Sequence, residues 1–322
     1  MSNILHCLQL GESMGDRFIA AARELPYGAA LFLVPNRYFF QKVRETGAVR
    51  AAILDALPRE ILRWNRAETE FTRITRPAQK KILEDTLDYL KGQLSYFSSL
   101  VGKDGFRDSL LTLFDEFSRD DLDPATYQQV LLNWNREGAL RNKDMDLAKL
   151  YLVYSSKVRE RRLEDLSQEY ARAAEVLEQG GTVPWEKCFF SEFYQFTPVQ
   201  LRLLRALGHC CEVEVGLFYD PKRPELSQVT EKIYGDLLGD GFLPVQEEPV
   251  TEKPEDLTAL TRDWKPGART DTGAPHIHLG EGVSQEQEIR LALTSGNWRI
   301  TRVWSGPLLN TGSPAGCPRR RT

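Results

Sequence analysis

Two hydrophobic regimes alternate along the chain, strand-length apolar runs near the start and around residue 190, and a long helical periodicity between them. Ile4 to Leu10 reads as a first strand, followed by Gly11-Glu12-Ser13-Met14-Gly15-Asp16-Arg17 and an Ala-rich helix from about Asp16 to Leu25. Ala29 to Val34 is a continuous apolar run suited to a strand buried on both faces. Glu60 to Trp64 is read as a third short strand. Cys188-Phe189-Phe190 forms another, ending at the polar pair Ser191-Glu192. Thr197-Pro198 then supplies an N-cap and a first helical position for Val199, Leu201, Leu203, Leu204 and Leu207, and Gly208 ends that helix. Val213, Val215 and Leu217 alternate with Glu212, Glu214 and Gly216 as a further strand. Strand, helix and strand in this order make a βαβ unit, which needs a parallel sheet and a right-handed crossover.

From Pro77 to Gln179 the pattern is helical, with Pro77 and Asp123-Pro124 placed as helix starts. One long amphipathic helix is expected from Asp144 to Gly180-Gly181, through Leu147, Leu150, Tyr151, Tyr154, Val158, Leu166, Tyr170, Ala173 and Leu177. Lys157, Arg159, Arg161 and Arg162 are interleaved with Glu160, Glu164 and Asp165, which predicts a solvated, salt-bridged face rather than a nucleic-acid contact. Gln228 to Leu238 reads as a helix closing at Gly239, and Glu247 to Thr272 as a surface linker. His276-Ile277-His278-Leu279 is the last expected strand; two His without a nearby third ligand favour ordinary histidines over a metal site. A helix is expected to begin at Ser284, and residues 294 to 322 show neither period, which suggests a truncated or frame-shifted end.

Composition narrows the class without naming a partner. The 322 residues are 41% hydrophobic and 27% charged with a net charge of −4, ordinary for a folded chain with no global nucleic-acid signal. The five cysteines, Cys7, Cys188, Cys210, Cys211 and Cys317, lack a C-x-x-C spacing and read as reduced core residues of a cytosolic protein. The start MSNILHCLQL carries no basic region before a long apolar core, so neither secretion nor membrane spanning is expected.

Chemistry is sought at the strand ends. A strand, a glycine-containing turn and a helix could cradle phosphates, with Gly11 and Gly15 as the turn. A phosphate-binding loop needs four residues between its glycines, then Lys and a hydroxyl; here three residues separate them and Asp16-Arg17 follow, so ATP is not expected to bind there. Ser191-Glu192-Phe193-Tyr194-Gln195-Phe196-Thr197-Pro198-Val199-Gln200 resembles the second motif of the UvrD/RecB-type DNA helicases, D-E-F-Q-D-T-D-P-x-Q, with Glu, Phe, Pro and the last Gln matching. Its F-x-x-F-T-P-x-Q form is similar to the AddB subunit of the AddAB helicase-nuclease. In an active member the first Asp helps hold Mg²⁺ and the Glu polarises the attacking water. This chain has Ser191 at the metal position, which removes a charge that Mg²⁺ needs. A strand end with a solvated Glu192 is the competing reading of the same window.

Leu33-Val34-Pro35 through Gln41 also resembles the segment after the second strand of AddB-type chains. In related helicases it touches single-stranded DNA, which would make Asn36, Arg37, Tyr38 and Gln41 DNA-binding residues; Arg37, Lys42 and Arg44 would meet phosphates while Tyr38 or Phe39 stacks on bases. Aromatic packing beneath the sheet is the alternative.

The expected fold is therefore α/β, a parallel P-loop-NTPase-like sheet of the UvrD/RecB type with a helical insertion subdomain. Its expected parts are 1–76, an insertion at 77–182, the rest of the α/β domain at 183–293 with a linker at 244–274, and a tail at 294–322. The resemblance implies the N-terminal portion of an AddB-type subunit, partnered by an AddA-type helicase-nuclease subunit and acting on DNA breaks in recombinational repair. The nucleotide site would be degenerate at Gly11, Gly15, Ser191 and Gln200. Mg-ATP and an iron-sulfur cluster are expected only for the full complex, and no metal in this chain. Two rivals remain: a divergent DNA-dependent ATPase using Glu192, and a protein-docking helical module without DNA contact.

Overall fold

In the computed structural model, residues 3–8, 13–47, 49–67, 71–134, 136–221 and 226–247 are described, together with Ser284 and Gln287 singly. The expected strand at His276–Leu279, the helix from Ser284 and the tail lie outside the described residues, apart from those two positions.

Six parallel strands form the main sheet in the order β3-β2-β6-β7-β1-β8. They are β1 (Ile4–Leu8), β2 (Ala30–Val34), β3 (Arg50–Ile53), β6 (Lys187–Phe193), β7 (Glu212–Phe218) and β8 (Leu243–Gln246). Helices α1 (Gly15–Arg23) and α2 (Arg37–Glu45) follow β1 and β2, and α3 (Leu57–Trp64) follows β3. A minor parallel pair, β4 (Thr72–Arg73) and β5 (Leu163–Glu164), brackets the helices α4 (Arg76–Leu90), α5 (Asp104–Arg119), α6 (Pro124–Asn133) and α7 (Gly138–Glu160). Then come α8 (Leu166–Glu178), α9 (Pro198–Gly208) between β6 and β7, and α10 (Gln228–Gly239) before β8.

Strand alternation sorts the side chains into two cores. On one face Leu5, Leu31, Leu33, Phe190, Val213 and Leu217 pack with α3, α8 and α9. On the other, Phe32 and Phe189 pack with Phe18 and Ile19 of α1. The bracketed helices bury a third cluster of their own, including Leu83, Leu111, Phe114 and Leu150. Tyr170, Ala173, Ala174 and Leu177 of α8 belong to the sheet's core, so the separate helical cluster runs out before that helix. Among the described residues no helix is long and apolar enough to cross a membrane.

Three expectations are corrected. Glu60–Trp64 lies in α3: Leu57, Ile61 and Leu62 share one buried face and Pro58 sits in the first turn, a helical period that a five-residue window cannot show. The long helix from Asp144 is two helices, broken after Glu160, with Arg162 at φ 53° and a capping box between Asp165 and Gln168 starting α8. The linker placed at 244–274 loses its first residues to β8, the last strand of the sheet among the described residues, where Pro244 is tolerated because β8 pairs there on one side only, with β1. The salt-bridged reading of the basic run agrees with Arg161 pairing with Asp85 at 2.7 Å and Lys157 donating to the Asp85 carbonyl at 2.6 Å.

Candidate functional site

Parallel open sheets present ligand sites at the carboxyl ends of their strands. Here β2 and β6 are neighbours, with Leu33 opposite Phe190, so Pro35-Asn36 and Ser191-Glu192 emerge side by side. At the end of β6 the ladder to β7 shifts register between Phe190 and Phe193. Simple alternation would send Phe193 to the opposite face; the shift returns it to the core that holds Phe190. Glu192 absorbs the extra length at φ 66°. That left-handed conformation costs an L-residue about 1–2 kcal/mol.

The Glu192 carboxylate accepts a short hydrogen bond from Ser13 Oγ, in the segment between β1 and α1. The same Ser13 oxygen accepts the Gly15 N–H at 3.1 Å, and a Cβ added to Gly15 would lie 3.3 Å from it. Ser13 thereby ties the start of α1 to the end of β6. Gly11 lies outside the described residues. Ser191 is 1% exposed, and its Oγ has no hydrogen-bond partner among the described residues. Gln200 uses its side-chain carbonyl to accept the Thr197 N–H at 2.9 Å, half of the capping box that starts α9. No group of three or more His, Cys, Asp or Glu suited to holding a metal occurs among the described residues.

Asn36 caps α2, its Oδ1 accepting from the N–H of Tyr38 at 3.0 Å and of Phe39 at 3.3 Å. That leaves Arg37, Tyr38 and Gln41 exposed on the first turns, while Phe39 and Phe40 are half-buried against the sheet's second face. Of the two rings that the sequence offered for stacking, Tyr38 is 70% exposed and Phe39 is half-buried.

Beneath α1 lies a polar network that sequence reasoning missed. His6 of β1 bonds Glu214 of β7 through Nε2 at 3.0 Å and Glu247 through Nδ1 at 2.6 Å. Lys187 of β6 reaches Glu214 at 2.8 Å and Glu212 at 3.1 Å, and Arg17 pairs with Glu247. Burial opposes charge on His6, but the hydrogen bonds to Glu214 and then Glu247 outweigh it and raise its pKa above the ordinary 6.5. Burial likewise pushes the Glu214 pKa up, and His6 and Lys187 bring it below the usual 4.5. The alternation of Glu212 and Glu214 in β7 was the available signal; their partners come from more than 200 positions away in the case of His6 and Glu214.

A family model described as ADDB, N-terminal, matches residues 16–236, more than half of the 322-residue chain. The chain belongs to the AddB N-terminal family. It is similar to three proteins named as the B-type subunits of an ATP-dependent helicase/deoxyribonuclease. That of Carboxydothermus hydrogenoformans is 29% identical over 232 residues, covering 64% of this chain and 20% of that protein. The Acetivibrio thermocellus protein is 26% identical over 189 residues, 55% of this chain and 16% of that protein. The Anoxybacillus flavithermus protein is 22% identical over 291 residues, 80% of this chain and 25% of that protein. The chain therefore spans a quarter or less of the length of these relatives. The AddB N-terminal match takes in Asn36 to Gln41, Ser191, Glu192 and Gln200 but starts after Ser13 and Gly15.

Proposed function

We propose that this chain is the helicase-like, ATPase-inactive N-terminal portion of an AddB-type subunit. In this reading it works in the cytoplasm with an AddA-type helicase-nuclease subunit on DNA double-strand breaks, guiding single-stranded DNA and docking the partner. The observation that carries it is the closure of the strand tips by the protein's own groups. Ser13 occupies the Glu192 carboxylate, which is the group that would polarise water, and Ser191 offers Mg²⁺ a buried neutral hydroxyl. Mg²⁺ requires hard, preferably anionic oxygen ligands, so this donor set does not suit Mg-ATP. Conversely, Arg37, Tyr38 and Gln41 stand exposed on the same edge of the sheet, a basic and aromatic surface of the kind that tracks a single strand. The iron-sulfur cluster is assigned to the remainder of the full-length relatives.

The test uses the whole chain and its complex with an AddA-type subunit in which that subunit's own ATPase is inactivated. DNA-stimulated phosphate release should stay at the buffer blank, and Glu192→Gln should not change it; turnover that Glu192→Gln abolishes would establish the divergent ATPase instead. Binding to a single-stranded oligonucleotide should weaken steeply with added salt and be impaired by Arg37→Ala with Tyr38→Ala. No binding at low salt would leave the protein-docking module.

A further inference from the structure

Helix α7 carries two apolar stripes. One, including Leu147, Leu150, Tyr151, Tyr154 and Val158, is buried in the helical cluster. The other runs through Met145, Ala148 and Leu152 at steps of three and four; Ala148 is partly buried against the helical cluster, while Met145 and Leu152 face outward, 48% and 50% exposed. A helix with a single neighbouring layer needs one such stripe, and among the described residues neither Met145 nor Leu152 belongs to a buried cluster. Alongside it, α6 buries only Tyr127 and leaves Leu132 80% exposed, and Trp134 at its end is 49% exposed. Between the two helices these side chains line a groove of about 350 Å³. Singly exposed apolar residues are ordinary; a contiguous set around one concavity marks an interaction surface.

The charges at the groove are unequal. Arg136, Arg141 and Lys149 line it against one carboxylate, Asp144, which Arg136 already engages at 3.3 Å while its guanidinium stacks 4.2 Å from the Trp134 ring. Lys149 also donates to the Gln93 carbonyl at 3.3 Å. The excess positive charge selects an acidic occupant, and the aliphatic floor of Leu131, Leu132, Met145 and Leu152 suits a hydrophobic helix face better than a nucleic-acid backbone.

We propose that the α6–α7 groove docks an amphipathic helix of the AddA-type partner subunit, with its apolar stripe on Leu132, Met145 and Leu152 and flanking Asp or Glu residues on Arg141 and Lys149. It rests on the proposed partnership and specifies its surface. The experiment co-expresses the full chain with an AddA-type subunit and measures the dissociation constant for wild type, Leu132→Asp with Leu152→Asp, and Arg141→Glu with Lys149→Glu. Both pairs are exposed, and unchanged helical circular dichroism and melting temperature confirm the fold. The aspartate pair should weaken the complex about 100-fold, in line with the loss of an apolar anchor cluster. The charge-reversal pair should weaken it about tenfold and reduce its salt dependence. A wild-type complex that both variants retain overturns the docking site and leaves the partnership standing. Failure of the wild type to bind any AddA-type subunit overturns both. Self-association of the chain, or oligonucleotide binding, that the aspartate pair alone abolishes assigns the groove to another occupant and overturns the proposal.

Discussion

The two faces of the main sheet follow different rules although the same strands supply both. Towards α3, α8 and α9 the inward positions are Leu5, Leu31, Leu33, Phe190, Val213, Val215 and Leu217, without a charge among them. Towards α1 the same strands present His6, Lys187 and Glu214, and by alternation Ser191, next to Phe32 and Phe189. The difference separates two tasks. The dry face supplies folding free energy by removing apolar surface from water. The mixed face gives some of that up for polar groups: His6, Glu214 and Lys187 are tolerable there because they bond one another, while the Ser191 hydroxyl has no partner among the described residues. The candidate site opens at the edge of the mixed face.

The sharpest way to break this division is to compare truncations on the two sides. Leu217 is fully buried, and Leu217→Ala should cost about 2–5 kcal/mol in urea unfolding, as buried leucine truncations do. A cost below that of removing His6 would refute the division of labour. Gly216, its neighbour in sequence, faces the other way: a Cβ there would stand 3.1 Å from both Cβ and Cγ of Met14. Gly216→Ala should therefore cost about 1–3 kcal/mol by overpacking. It should also loosen the seat of α1, seen as faster amide exchange over residues 15–23 than in Leu217→Ala.

The dry face was far more legible in the sequence than the mixed one. The continuous runs at Ala29–Val34 and Cys188–Phe190 announce parallel strands buried on both faces, and the alternation from Val213 to Leu217 announces a strand whose apolar positions share the dry face. β3 and β8 leave no such trace. Arg50-Ala51-Ala52-Ile53 is short and weakly apolar, and all four residues of Leu243–Gln246 are exposed. The turn at Arg162 is taken without a glycine, so nothing in the pattern marks the end of α7. At the candidate site, the Ser191-Glu192 pair was legible as a motif; Asn36 to Gln41 reads as a loop from the sequence, whereas Asn36 is the N-cap of α2 and Arg37, Tyr38 and Gln41 lie in that helix. The Ser13–Glu192 bond, spanning 179 positions, and the left-handed Glu192 were not legible, because local sequence carries no record of which loop meets which.

Titration sharpens the contrast. Since the His6 pKa is raised in the folded protein, the stability it contributes is complete below about 6.5 and is lost as pH rises through the raised value. Glu214, whose folded pKa is lowered, contributes fully above about 4.5 and loses that contribution as pH falls through the lowered value. The network is strongest between those limits, and the melting temperature should decline on the alkaline side. His6→Gln, which cannot carry the charge between two carboxylates, should cost about 1–2 kcal/mol at pH 6 and flatten that decline. Leu217→Ala should lower the whole curve without changing its shape.

The smallest effect is the most specific to the candidate site. Glu192→Ala removes the bond from Ser13 but keeps a Cβ in the left-handed conformation, and should cost about 0.5–1 kcal/mol. Glu192→Gly removes the same bond and the same side chain, yet relieves about 1–2 kcal/mol of backbone strain against about 0.4–1 kcal/mol of added chain entropy in the unfolded state. Glycine should therefore equal or exceed alanine in stability at this position, the reverse of their order at an unstrained site. An alanine variant more stable than the glycine variant would mean that β6 ends without its register shift. With the expected order, the strain at Glu192 is a cost that the rest of the sheet sustains to bring a carboxylate from one strand tip to the hydroxyl at another. A sheet built only for stability would place glycine there.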